Sequence, residues 1–333
     1  MYCPRLFVPL QPRAANAALT TKEPKPMNMT KRPQRMAALM LLVCALLFGT
    51  SLNANAQIRT ARDFILALKS DANITMTTGD GLVNLTEAIN DLIDDGYITP
   101  YNLDPNWERV QTKPGIYYSA EYDGNQLIVV GMNNINIEGT GANGAFLQVE
   151  PRYAEVIKFV NCKNIGISNF TMGHSETGDC VGDVLEFQSC ENIAVNNCRL
   201  FGCGVNGLTV RDSKSISANG THFYGCYYYG LQLFGSQDAI FVNCQIYSNG
   251  MGIYLDDVCG NVSFDKCEMM NNRREVFVCQ SPISVSNSKI ISHGGANVYN
   301  VTLEGCDVTM DYADCEELPD LEEDSQYEIY QGQ

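Results

Sequence analysis

Three successive segments, NIAVNNCRLFGCGVNGLTVRDSK, SISANGTHFYGCYYYGLQLFGSQ and DAIFVNCQIYSNGMGIYLDDVCG, align from Asn192 to Gly260 without a gap. Apolar anchors Ile193, Ile216, Ala239 and Val262 recur every 23 residues, and Val195, Ala218, Phe241 and Phe264 keep the same step. An internal repeat of this length limits the fold more tightly than composition does. Inside each unit apolar alternation lasts only two to four positions, which is the mark of short strands. Three strands in so short a unit leave no space for a crossover helix, so each unit closes as one coil. Stacked coils make a parallel β-helix, with equivalent residues one above another at about 4.8 Å.

Extending the register gives first anchors at Ile135, Ile165, Ile193, Ile216, Ala239, Val262, Ile283 and Val301. The early steps are longer than 23 and place extra chain in GANGAFLQVEPRYAE and GHSETGDCVGD, read as long loops. Four residues after each anchor stand Gly139, Asn169, Asn197, Gly220, Asn243, Lys266, Asn287 and Gly305. Gly and Asn tolerate φ > 0, so this ladder predicts a left-handed turn in every coil, with Lys266 the one departure.

The chain divides into 1–56, an upstream extension and signal; 57–126, a cap and irregular first coils; 127–310, the β-helix; and 311–333, an acidic tail. Lys31, Arg32 and Arg35 precede the apolar run MAALMLLVCALLFG, followed by SLNANAQ, which reads as an export signal cleaved before Gln57. The run is short for a membrane span, and Met27, Met29 or Met36 are alternative starts. The expected location is periplasmic or extracellular, with no membrane span after cleavage. In TARDFILALKS, Thr60 is the N-cap of a short amphipathic capping helix with Asp63 three residues on. TEAINDLIDD adds a second helical turn.

The net charge is −16; loss of residues 1–56 removes seven basic residues and one acidic one, leaving 15 against 37, or −22. Such a surface repels nucleic acid and anionic lipid. Twelve of the fourteen cysteines remain after cleavage, and they fall into ladders shared with Ser213, Ser236, Thr221 and Ser288. Exchange of Cys with Ser and Thr points to small inward side chains, either as free thiols or, for stacked neighbours such as Cys162 and Cys190, as disulfides.

With these ladders in place, residues 127–308 resemble the right-handed parallel β-helix repeat proteins of the pectate-lyase-like superfamily, through units such as NIAVNNCRLFGCG, NVSFDKCEMM and NVTLEGCDV. The resemblance implies an all-β, right-handed, single-stranded parallel β-helix and a polysaccharide ligand. It also implies that the strand before the anchor lines the groove. The outward residues there are Lys158, then Glu186 and Gln188, Thr209 and Arg211, Gln232 and Phe234, and Tyr254 and Asp256. The long loops would bring Glu150, Arg152, Glu155, His174, Glu176, Asp179 and Asp183 nearby.

A lyase of that kind holds Ca²⁺ on acids and needs an Arg or Lys base of lowered pKa. Glu186, Asp179 and Asp183 are the candidate acids, the last two as metal ligands, and Lys158, Arg152 or Arg211 the candidate base. A hydrolase needs facing carboxyl groups instead. His174 is a further acid–base candidate, and Gln188, Gln232 and Tyr254 are candidate sugar contacts. The pattern is incomplete, because Thr209 and Gln232 stand where further acids are expected. A competing surface holds Phe201, Tyr224 and Tyr247, with Arg199, His222 and Gln245 two residues earlier. If it faces outward it suits sugar rings, with Tyr224 and Tyr247 as contacts; otherwise it stabilises the sheet. A non-catalytic glycan-binding, adhesive or envelope scaffold protein is the alternative to an enzyme.

Overall fold

The computed structural model describes residues 57–78, 82–101, 113–141, 144–175, 181–202, 204–292 and 299–310. The signal, the acidic tail, Glu176 and Asp179 lie outside the described residues.

Short runs of alternating apolar residues become three parallel sheets, one of ten strands and two of nine among the described residues. The ten-stranded sheet carries the anchors. Ile135, Ile165, Ile193, Ile216, Ala239, Val262, Ile283 and Val301 pair in unbroken succession. A second sheet precedes the anchors in each coil and a third follows them; they are called the leading and trailing sheets. The fold is a parallel β-helix, as the repeat requires.

Each coil turns where its backbone tolerates φ > 0. Asn169, Asn197, Asn243, Asn287, Gly220 and Gly305 all adopt it, and so does Lys266 at φ 54°. Gly139 does not have a positive φ. Its backbone lies so close to the Asn169 carbonyl and Ala145 that a Cβ would overlap them, so glycine is needed there for clearance. A second left-handed ladder, one residue before the anchor, includes Asn134, Asn164, Asn192, Ser215, Asp238 and Asn261. Its amides bond from coil to coil: Asn164 Nδ2 donates to Asn134 Oδ1 at 2.7 Å and Asn192 Nδ2 to Asn164 Oδ1 at 2.8 Å.

Inward residues form one continuous core. Phe159 stacks on Phe187 with centroids 5.0 Å apart, and Phe241 on Phe264 at 4.8 Å. Each buried ring contributes about 2–3 kcal/mol of transfer free energy. The nine described cysteines are free thiols and eight are buried. Where a coil needs an acceptor for a buried backbone N–H, Cys and Ser alternate: Cys162 N donates to Cys190 Sγ, Cys190 N to Ser213 Oγ and Ser213 N to Ser236 Oγ.

Two helices close the N-terminal end. Helix α1 (Ala61–Ala67) begins at Thr60, whose side chain accepts from Asp63 N. Helix α2 (Leu85–Asp94) is longer than the single turn expected and buries Leu85, Ala88, Ile89 and Leu92. Arg62 pairs with Asp95 at 2.6 Å, tying the two helices. Part of the stretch read as irregular is in fact ordered, as an antiparallel hairpin of Gly115–Glu121 and Gly124–Val130. Its two-residue turn is Tyr122-Asp123, and neither of these nor Gly124 has positive φ. No helix among the described residues is long and apolar enough to cross a membrane.

Candidate functional site

The leading sheet presents strands Ile157–Val160, Leu185–Gln188, Asn206–Arg211, Tyr229–Phe234 and Met251–Leu255. Their inward residues Ile157, Leu185, Leu208, Leu231 and Ile253 pair in register. Because side chains alternate, the outward ladders are fixed by the same pairing. One runs Lys158, Glu186, Thr209, Gln232, Tyr254 and the next runs Gln188, Arg211, Phe234.

Glu186 is the centre of an ion cluster. Lys158 Nζ lies 2.7 Å from its Oε2, and Arg211 Nε lies 2.9 Å from its Oε1. Lys158 also faces Glu155 at 3.9 Å. Glu186 is buried, and burial alone would raise its pKa; Lys158, and then Arg211, outweigh this and hold it below the ordinary value. Glu155 goes the other way. Burial pushes it well above the usual carboxylate range, Lys158 offsets part of this, and Glu186 and Asp183 push it further. Its Oε2 is buried without a hydrogen-bond partner among the described residues. A carboxyl held high and a carboxyl held low therefore stand beside each other under one lysine.

Asp183 accepts from Asn206 N at 3.1 Å and Asn206 Nδ2 at 2.9 Å. Burial pushes its carboxyl up to about 6, although Thr209 and Asn206 act against the rise. Asn206 Nδ2 also reaches Gln232 Oε1 at 2.8 Å, so a buried polar chain links the acids to the outward ladder. Beyond it the surface becomes aromatic. The Arg211 guanidinium lies 4.3 Å from the Phe234 ring centroid, and Tyr254 contacts both Phe234 and Tyr229 at 5.3 Å.

Two turns of chain hold Glu155 in position. Asp123, at the hairpin turn, accepts from Arg152 N at 2.7 Å, and Gln126 Oε1 accepts from Glu155 N at 3.3 Å. The Arg152 carbonyl accepts from both Val181 N and Gly182 N. A Cβ at Gly182 would overlap the Ala154 carbonyl, so the two segments pack backbone to backbone.

The structure brings Lys158, Glu186, Arg211, Gln188, Asp183, Gln232 and Tyr254 onto this one face, but not the other candidates. His174 does not lie on an exposed loop: it ends the strand Phe170–His174 and is 1% exposed. Its Nε2 donates to the Ala154 carbonyl at 2.8 Å, and burial holds the ring below its ordinary pKa. It clamps the segment that carries Glu155. Arg152 lines a separate hollow with Thr86, Asp123, Glu150 and Pro151. Tyr224 is 3% exposed, stacked between Phe201 and Tyr247 at 5.8 and 5.1 Å, which is the sheet-stabilising arrangement; Tyr247 is half-buried. Asp179 lies outside the described residues.

The donor set does not fit Ca²⁺. Both Glu186 oxygens are held by Lys158 and Arg211, and Asp183 Oδ1 takes two bonds from Asn206. A calcium site needs six to eight oxygens free to turn toward the ion. Lys158 is likewise unlike a proton-abstracting base. Burial would lower it, but Glu155 and Glu186 outweigh burial and raise it. Asp123, Gln126 and Asn206, which position these groups, escaped the sequence reading, and no motif in the sequence marks them.

A family profile described as a right handed beta helix region matches residues 114–309. Among solved structures, pectate lyase Pel9A is similar at a TM-score of 0.41 and 10% identity, over 77% of this chain and 78% of that one. QnrB1, a plasmid-mediated fluoroquinolone resistance protein, is similar at a TM-score of 0.16 and 13% identity, over 49% of this chain and 82% of that one. Likeness at that level says nothing of activity. No curated protein matches.

Proposed function

The chain belongs to the right-handed beta helix family, and on that premise we propose that its leading-sheet face binds polysaccharide and cleaves it by hydrolysis, with Glu155 and Glu186 as the acid–base pair. The observation that carries the reading is the pairing of Glu155, whose carboxyl is held well above the ordinary range, with Glu186, held below it, on an outward strip that runs into the rings of Phe234, Tyr254 and Tyr229. Sugar rings stack their apolar faces on such aromatics. Glu155, whose raised pKa makes it hold its proton to higher pH than an ordinary carboxyl, is suited to donate to a glycosidic oxygen, while Glu186 faces the positive charge that develops on the sugar ring. Burial holds the Glu155 carboxyl high; Lys158 draws both carboxyl groups down and, with Arg211, outweighs burial only at Glu186, which Arg211 also orients. The reading includes export: the apolar run after Lys31, Arg32 and Arg35 supports a signal cleaved before Gln57 and an activity outside the cytoplasm.

The test is release of reducing ends from a panel of neutral and acidic polysaccharides by the purified chain. Glu155→Gln is expected to lower the rate about 100-fold or more while leaving retention on the same glycan intact. Tyr254→Ala is expected to weaken retention. Retention without any release favours a second reading, supported by the full pairing of Glu186: a non-catalytic glycan-binding rod whose ion cluster only matches charge across strands. Absence of both retention and release rules out the proposal.

A further inference from the structure

A hollow of about 320 Å³ opens on the opposite side of the coil, where the anchor sheet turns into the trailing sheet. It is lined by Gly141, Gly144, Asn169, Asn197, Cys198, Arg199, Gly220 and His222. None of these belongs to the leading-sheet face. We propose that this hollow is a binding site for a small oxyanion, the carboxylate or sulfate group of an acidic sugar, held by Arg199 with His222 and the asparagine amides.

Charge placement is the first argument. On the trailing sheet the outward ladder runs Thr171, Arg199, His222, Gln245, Glu268. Arg199 thus has a threonine on one side and a histidine on the other. Its guanidinium makes no ion pair among the described residues, although the chain carries 38 acidic residues against 22 basic ones. Glu268 stands three strands away and accepts from Gln245 Nε2 at 3.0 Å. Two groups able to carry positive charge therefore sit opposite each other on adjacent strands; burial and then Arg199 hold His222 below its ordinary pKa, and an anion between the two would favour the charged ring. Other cations in the sheets are placed differently: Lys163 and Lys214 both flank Glu191, at 3.1 and 3.0 Å.

Shape is the second argument. Gly141, Gly144 and Gly220 have positive φ and contribute no side chain to the lining; a Cβ would meet the Asn169 carbonyl at Gly144 and the Asn197 side chain at Gly220, and the space is open only at Gly141. Asn169 and Asn197 turn the backbone at the same corner, and neither amide Nδ2 has a partner among the described residues. The resulting donor set comprises one planar fork, two amides and an imidazole, and contains no carboxylate. A guanidinium fork matches a carboxylate or sulfate in two parallel hydrogen bonds. The volume is at the lower end for ligand pockets and admits one sugar ring, but not a folded chain.

Isothermal titration of the whole protein with sodium sulfate, glucuronate and glucose tests the inference. Glucuronate or sulfate is expected to bind with a millimolar Kd, and glucose at least tenfold more weakly. Sulfate and glucuronate binding alike assigns a general oxyanion site, and glucuronate alone assigns a sugar carboxylate; either result supports the proposal. Arg199→Gln is expected to weaken the bound anion at least tenfold, and His222→Gln to weaken it less. Arg199 is exposed, so its variant is expected to fold. Binding of glucose as tightly as glucuronate, no binding up to about 50 mM of any probe, or anion binding unchanged in Arg199→Gln overturns it.

Discussion

Asp183 shows how one buried residue links the site to stability. Its folded pKa of about 6 lies above the value of 3.8 expected without burial. The native state therefore holds the proton more tightly than the unfolded chain between those values. The stabilisation is complete below about pH 4 and is lost as pH rises through 6, a change on the order of 3 kcal/mol. Urea unfolding at several pH values should show wild-type stability falling across that window and Asp183→Asn, which keeps an oxygen for Asn206, falling much less. A pH-independent difference between the two would mean that another group titrates. Glu186 and Lys158 were legible from the register alone, because pairing in a ladder follows from spacing. The protonation state of Glu155 was not, since it arises from burial by segments distant in sequence. His174 was misplaced for the same reason: GHSE reads as loop, and only the packed Ala154 carbonyl makes that ring an internal clamp.

At the scale of elements, the Cys and Ser ladder predicts an asymmetry. Cys190 Sγ accepts from Cys162 N, and the equivalent Ser213 Oγ accepts from Cys190 N at 2.9 Å. Cys190→Ser should therefore cost less than about 1 kcal/mol, and Cys190→Ala about 1–3 kcal/mol, because the alanine leaves a buried donor unmet. Thermal melts of the two variants distinguish this from a purely steric role, in which both would melt alike. The ladder itself was readable, since exchange of Cys with Ser and Thr at one register position requires a small inward group. Its hydrogen bonds were not readable, because they join residues whose closeness depends on the coil being closed. The hairpin ending at Val130 was overlooked in a stretch crowded with Pro, and its Tyr122-Asp123 turn is none of the residue pairs that mark a primed turn.

For the whole molecule, a stack of parallel strands has two open ends, and this chain covers the first with α1, α2 and the strands around them. Deleting residues 57–101 would bare the strands Asn133–Gly139 and Ala145–Val149. Unpaired edges recruit other edges. Sedimentation velocity should then show concentration-dependent association of the truncated chain, and a monomer at every concentration would refute the capping role. The repeat by itself determined the architecture: a constant 23-residue step, period-two alternation and turn residues at one register position allow only stacked coils, and every anchor pairs as that step requires. The anchors outside the 23-residue steps pair in the same succession, because insertions and deletions fall in the turns, and so the repeat also fixed which residues share an outward ladder. Tertiary structure alone decided which of those residues do more than decorate the surface. Pairing is local and periodic, so sequence carries it; burial, protonation and the closing of Arg152 and Glu155 against Asp123 and Gln126 depend on segments about 30 residues apart meeting in space. Periodicity does not encode that meeting.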